Sequence, residues 1–179
     1  ADLCQKYNAA LSIGTTFRSA NVIDSMDTVQ KAEIQMQIEL AESLCKKIPV
    51  ILEMPGHASP EKIRELNLIL KDCPFPIVTD TGVGMDHITA ALGVTLMRLD
   101  GNAQIISAVT REEHTGNIPS VESTKEAVLT ARLAAHVIDM DQLHDYSSDY
   151  QYAIARKKSC IAGQHTSGCS RCGDYCPLK

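Results

Sequence analysis

Pro49-Val50-Ile51-Leu52, followed by the loop Glu53-Met54-Pro55-Gly56-His57 and then by Pro60, is the stretch on which the fold turns. A short apolar run without alternation reads as a strand buried on both faces, the habit of parallel sheets. Pro60 suits the first turn of a helix, and Ile63, Leu66 and Leu70 recur at helical spacing along its buried face. Strand, loop and helix in that order form one βα unit.

Three other segments repeat the order. Ala9 to Ile13, Pro76 to Val78 and Gln104 to Val109 read as further parallel strands. Asp27 to Lys46 follows the first as a helix with an apolar stripe of Val29, Ala32, Ile34, Met36, Ile38 and Leu40. Met85 to Leu99 is a largely apolar helix stopped by Asp100-Gly101. Ser123-Thr124-Lys125-Glu126 has the capping-box pattern near the start of a fourth, which runs to about Met140. Four βα units joined by right-handed crossovers are either a self-contained α/β sandwich or the second half of a (βα)8 barrel. In the second case both end strands have open edges, and another chain or a second copy must cover them. Residues 1–140 therefore form an α/β domain, and 141–179 a short polar appendage with a helix at Ser148 to Lys158 and a tail rich in Gly, Ser, His and Cys.

That tail contains Cys169-Ser170-Arg171-Cys172-Gly173-Asp174-Tyr175-Cys176. Three thiolates this close can hold a [4Fe–4S] cluster by three corners and leave one iron open to a chelating ligand such as S-adenosylmethionine. Spacing alone equally admits a structural zinc site, with His165 as the fourth ligand; a disulfide with a spare thiol is a weaker third reading. The order of the appendage would then depend on its metal. Cys45 and Cys73 lie at the ends of apolar helical patterns and read as small buried hydrophobes.

The net charge of −5, with two Phe and no Trp, argues against a nucleic-acid surface. Neither a signal peptide nor an apolar run of membrane length is evident, which places the chain in a reducing cytoplasm with no membrane partner.

In a barrel the working residues follow the C-terminal ends of the strands. There this chain carries Thr15 to Arg18, Glu53 to His57, Asp80 to His87 and Thr110 to His114. His57 and His114 occupy equivalent places after two strands, which suits a two-histidine divalent metal site, against the plainer reading of each as a structural histidine. Glu53 could accept an amine or hydroxyl proton, or simply pair with Arg18 or Arg111. His87, next to Asp86 at a helix start, fits a cap or dipole role, and His136 and His144 are structural.

Read in order, these loops resemble the C-terminal half of the phosphomethylpyrimidine synthase family, the thiamine pyrimidine synthases, which are atypical radical S-adenosylmethionine enzymes. The carriers are Ser12-Ile13-Gly14 with Arg18, Glu53-x-Pro55-Gly56-His57, Pro74-Phe75, Asp86-His87-Ile88-Thr89, an approximate Val109-Thr110-x-Glu112-x-His114, Ala134-Ala135-His136 and the cysteine trio. The resemblance implies a (βα)8 barrel followed by a small cluster-bearing domain that reaches the partner's active site in a homodimer. It implies aminoimidazole ribotide as substrate and a deoxyadenosyl-radical rearrangement, catalysed by a carbon–carbon lyase. By position Arg18 and Glu53 would contact substrate, and His57 and His114 would hold a divalent zinc, iron or cobalt ion. Cys169, Cys172 and Cys176 would hold the [4Fe–4S] cluster.

The chain departs from the family pattern at four places. Thr15-Thr16-Phe17-Arg18 replaces an Asp-Gly-Leu-Arg loop, Met54 replaces a Gly, Pro76 a Tyr, and the second cysteine gap is three residues rather than four. Altered substrate-facing positions beside an intact metal and cluster set favour a paralogue resembling 5-hydroxybenzimidazole synthase, which feeds the lower ligand of cobamides. The thiamine pyrimidine is the alternative product. The first half of the family barrel precedes the position matching Ala1, so a missing N-terminal half-barrel or another subunit is expected as partner. Two other function classes remain on these residues: a non-catalytic metal-binding or assembly subunit, and a zinc-stabilised α/β binding domain.

Overall fold

The computed structural model describes residues 1–54, 56–75, 77–79 and 85–161. The chain divides into two compact units, Ala1–Ile138 and Asp139–Lys179. Among the described residues no helix is long and apolar enough to cross a membrane.

The first unit is built on a parallel sheet of β1 (Leu11–Ile13), β2 (Val50–Glu53), β3 (Ile77–Thr79) and β4 (Ile105–Ile106), in the order β1-β2-β3-β4. Its helices are α1 (Asp2–Tyr7), α2 (Thr28–Leu44), α3 (Pro60–Leu70), α4 (Asp86–Asp100) and the greater part of α5 (Val121–Leu143). Strand order that never reverses, combined with right-handed crossovers, sends α2, α3 and α4 to one face of the sheet. The register shows the consequence. Leu11 and Ile13 lie beside Val50 and Leu52, and Leu52 beside Ile77; these residues, with Ile106, line the helix side and join the core. The opposite face holds Ser12, Ile51, Glu53 and Ile105, none of them buried.

Strands form where the apolar runs predict them; the first and last are shorter, and the middle two keep their length one residue further on. The last is cut most, from an expected Gln104–Val109 to Ile105–Ile106. Leu52, Leu66, Leu70 and Ile77 are fully buried between sheet and helices, each contributing on the order of 1.5–3 kcal/mol by removal from water.

The helices follow their caps more closely than their apolar stripes. Asp27 accepts the Gln30 amide at the start of α2, and Ser59 accepts the Lys62 amide at the start of α3, where Pro60 occupies the first turn. The stripe expected on α2 is corrected by the structure. Gln30, Ile34, Gln37 and Ala41 form its buried face, whereas Val29, Met36 and Leu40 are exposed. Polar side chains win there because they satisfy buried backbone groups: Gln37 Nε2 donates to the carbonyls of Ile13, Gly14 and Glu53, tying the ends of β1 and β2 together. Lys31 of α2 and Lys62 both grip Glu65 of α3, at 2.6 and 2.7 Å, and hold its carboxyl down to about 2.

Two further expectations shift. α5 begins at Val121, and its reciprocal cap joins Ser120 to Ser123, each hydroxyl accepting the other's amide at 3.0 and 2.9 Å. Glu126, expected to close a box with Ser123, instead pairs with Arg111. Cys45 is exposed, against the expectation, whereas Cys73 is partly buried and packs against the core.

The second unit contains α6 (Ser147–Ile161), longer at both ends than the expected Ser148–Lys158; the Asp145 carboxylate accepts the Ser147 amide at its start. His165, Cys169, Cys172 and Cys176 lie outside the described residues.

Candidate functional site

The ends of β1, β2 and β4 and the start of α4 bring together Arg18, Glu53, His57, Asp86 and His114. Glu53 is the last residue of β2, and Gly14, just past β1, leaves room for its carboxylate: a Cβ at Gly14 would stand 3.2 Å from Glu53 Oε2. Arg18 Nη1 donates to Glu53 Oε1 at 3.4 Å, and both side chains remain about two-fifths exposed (41% and 42%). Of the two pairings open to Glu53 in the sequence, Arg18 is the one formed. An exposed pair of this kind holds loosely and can exchange its partner for a ligand.

The loop bearing Arg18 is fixed from behind. The Glu33 carboxylate on α2 accepts the amides of Thr16 at 2.6 Å and Phe17 at 3.0 Å. Further along, the His57 amide donates to the Ser19 carbonyl at 3.1 Å, and the Ser19 hydroxyl donates back to the His57 carbonyl. Gly56 allows this contact. Its φ of +99° lies in the left-handed region, and a Cβ there would come within 2.7 Å of the Ser19 carbonyl oxygen.

His57 is buried, with 7% of its surface exposed, and its ring meets that of His114 edge to face at a centroid separation of 4.6 Å. Burial pushes the His57 pKa below its ordinary value of 6.5, and the neighbouring His114 and Arg18 push the same way, while Asp86 opposes them. The neutral imidazole that results is the form that ligates metals. His114 Nδ1 lies 2.9 Å from Oδ1 of the fully buried Asp86. His87, also buried, places Nε2 3.7 Å from Glu126, which pairs with Arg111 in the loop carrying His114. The start of α4 is thereby tied to that loop twice.

Two adjacent imidazoles, one kept neutral by its surroundings and one backed by a carboxylate, fit a divalent ion with open positions. Among the described residues no group of three or more His, Cys, Asp or Glu side chains suited to a metal is present. Such an ion would take its remaining ligands from elsewhere. The cysteine trio, along with Asp80, Gly82, Gly84 and Pro76, falls outside the described residues.

Sequence reasoning missed Glu33 and Gln37, and gave Asp86 no role beyond a helix start. Spacing carries little signal for them, because each meets its partners only through tertiary contacts. One reading of the departures also changes. Met54 is 2% exposed and packs in the core, so it is not a substrate-facing residue.

A family model described as the radical SAM ThiC family matches residues 1–166 of this chain. Curated relatives named phosphomethylpyrimidine synthase include those of Thermococcus gammatolerans at 31% identity, Thermococcus kodakarensis at 32% and Desulforamulus reducens at 30%. Each match takes in 99% of this chain and 48% of the relative, so the chain spans about half the length of the curated relatives it matches.

Proposed function

This chain belongs to the radical SAM ThiC family, and from that premise we propose that it supplies the C-terminal half of a phosphomethylpyrimidine synthase-like radical enzyme. In this reading the four βα units are half of a (βα)8 barrel, completed by an N-terminal half-barrel or another subunit, with homodimers as the working assembly. The substrate is aminoimidazole ribotide and the reaction a carbon–carbon lyase rearrangement in the cytoplasm. The observation that carries the proposal is the meeting of the Arg18–Glu53 pair and the His57–His114 pair at one end of the sheet.

The chain's own groups divide the work. Arg18 offers planar guanidinium donors that match a phosphate once it leaves Glu53. Glu53 accepts a proton or hydrogen bond from a ring amine or hydroxyl. His57 and His114 hold a divalent ion through neutral nitrogens. Cys169, Cys172 and Cys176 would hold a [4Fe–4S] cluster, which would supply the electron for radical chemistry from S-adenosylmethionine.

The thiamine pyrimidine is favoured over a benzimidazole-type product. The relatives carry the phosphomethylpyrimidine synthase name, and Met54, one of the residues that argued for a changed product, faces the core rather than the site. The Thr15-Thr16-Phe17 loop keeps the second reading open, since Phe17 is exposed beside Arg18.

The test is anaerobic reconstitution of this chain with iron and sulfide, followed by turnover of aminoimidazole ribotide and S-adenosylmethionine in the presence of the completing half. Mass spectrometry should find the phosphomethylpyrimidine. Clean 5-hydroxybenzimidazole would replace that product assignment, and a colourless protein that binds zinc but no iron would end the radical reading. Replacing any one of the three cysteines by Ala should remove the cluster's visible spectrum.

A further inference from the structure

We infer that Asp86 is the positioning residue that sets the tautomer of His114, keeping the proton on Nδ1 and the lone pair on Nε2. This rests on the proposal that His57 and His114 hold a divalent ion together, and it adds the residue that prepares one of the two for that task.

The geometry is specific. His114 Nδ1 and Asp86 Oδ1 are 2.9 Å apart, a hydrogen-bond distance. A carboxylate can only accept, so the nitrogen facing it must carry the hydrogen, and Nε2 is left as the ligating atom. Asp86 has no exposed surface, so water does not reach its carboxylate to compete with His114. As the first residue of α4 it also stands at the positive end of a fifteen-residue helix, where a negative charge is stabilised. Its field reaches His57 as well, opposing the burial that lowers that pKa. The His87–Glu126–Arg111 contacts hold the His114 loop against the same helix start, so the aspartate and the histidine stay in register.

The experiment uses the 179-residue chain labelled with nitrogen isotope in its histidines. Nitrogen NMR above neutral pH, with His114 assigned from the signal lost in His114→Gln, should show the Nδ1–H tautomer in the unmutated chain. Asp86→Asn can donate as well as accept, so it should lose that preference and weaken Zn²⁺ binding by about 10- to 100-fold, with stoichiometry at saturation unchanged. An Nε2–H tautomer of His114 in the unmutated chain overturns the inference without any variant having to fold. Retention of both the tautomer and the Zn²⁺ affinity in a folded Asp86→Asn overturns it too. If His57→Ala and His114→Ala both bind Zn²⁺ as the unmutated chain does, the two-histidine metal reading falls instead, and the tautomer measurement still decides the role of Asp86.

Discussion

At the scale of single residues, the state of His57 governs what the site can do, because only a neutral imidazole ligates. Its pKa is lowered in the folded chain, so the unfolded chain binds more protons over the interval below 6.5. Stability from this source is therefore present above 6.5 and is lost as pH falls toward the lowered folded value. In metal-free protein, chemical denaturation from neutral to acidic pH should show this loss, and His57→Gln should flatten it. Gly56 makes a separate claim on the same loop. Its left-handed φ and the close Ser19 carbonyl exclude a side chain, so Gly56→Ala should destabilise by roughly 1–3 kcal/mol in urea unfolding. The loss should be accompanied by weaker metal binding, since the His57 amide bond to Ser19 forms across this contact.

At the scale of elements, the sheet has two unequal faces, and substitutions should report which is covered. Leu52 is fully buried on the helix side, so Leu52→Ala should cost about 2–5 kcal/mol by thermal or urea unfolding. Ile105 is 37% exposed on the opposite face, and Ile105→Ala should cost less than about 1 kcal/mol while that face stays uncovered, at protein concentrations below association. Equal losses would mean that both faces are packed. Between α2 and α3, the Glu65 carboxyl is held at about 2 by two lysines, well below its ordinary 4.5. Its contribution is present above 4.5 and disappears as pH falls toward 2. Glu65→Gln should therefore narrow the gap in stability between neutral and acid pH.

At the scale of the whole molecule, the first unit carries more uncovered apolar surface than a four-stranded sheet with one helical layer can hide. Ile51 and Ile105 lie on the open face, and Leu129 and Leu133 on α5 are 65% and 63% exposed. Patches of this kind seek partners. Light scattering should find the isolated chain associated, or find that it binds a co-expressed N-terminal half of a relative. A monodisperse monomer with cooperative unfolding would contradict the half-barrel proposal.

The sequence by itself determined the order of the four βα units, though not the short α1 ahead of them, since Val50-Ile51-Leu52, Pro60 and the Ile63-Leu66-Leu70 spacing encode a βα unit through local preference and period alone. It also placed Arg18 beside Glu53 as one of two choices, and gave equivalent positions to His57 and His114. What the tertiary structure decided were the contacts made across long stretches of chain. The 4.6 Å approach of the two imidazoles, the Asp86–His114 hydrogen bond, the Glu33 hold on Thr16 and Phe17, and the triple reach of Gln37 are of this sort. Periodicity predicts an apolar face for α2 but not that Gln30 and Gln37 displace Met36 and Leu40 from it. A buried backbone amide or carbonyl without a partner costs more than an exposed leucine, and which of these groups lack partners is settled only when the strands and helices have packed.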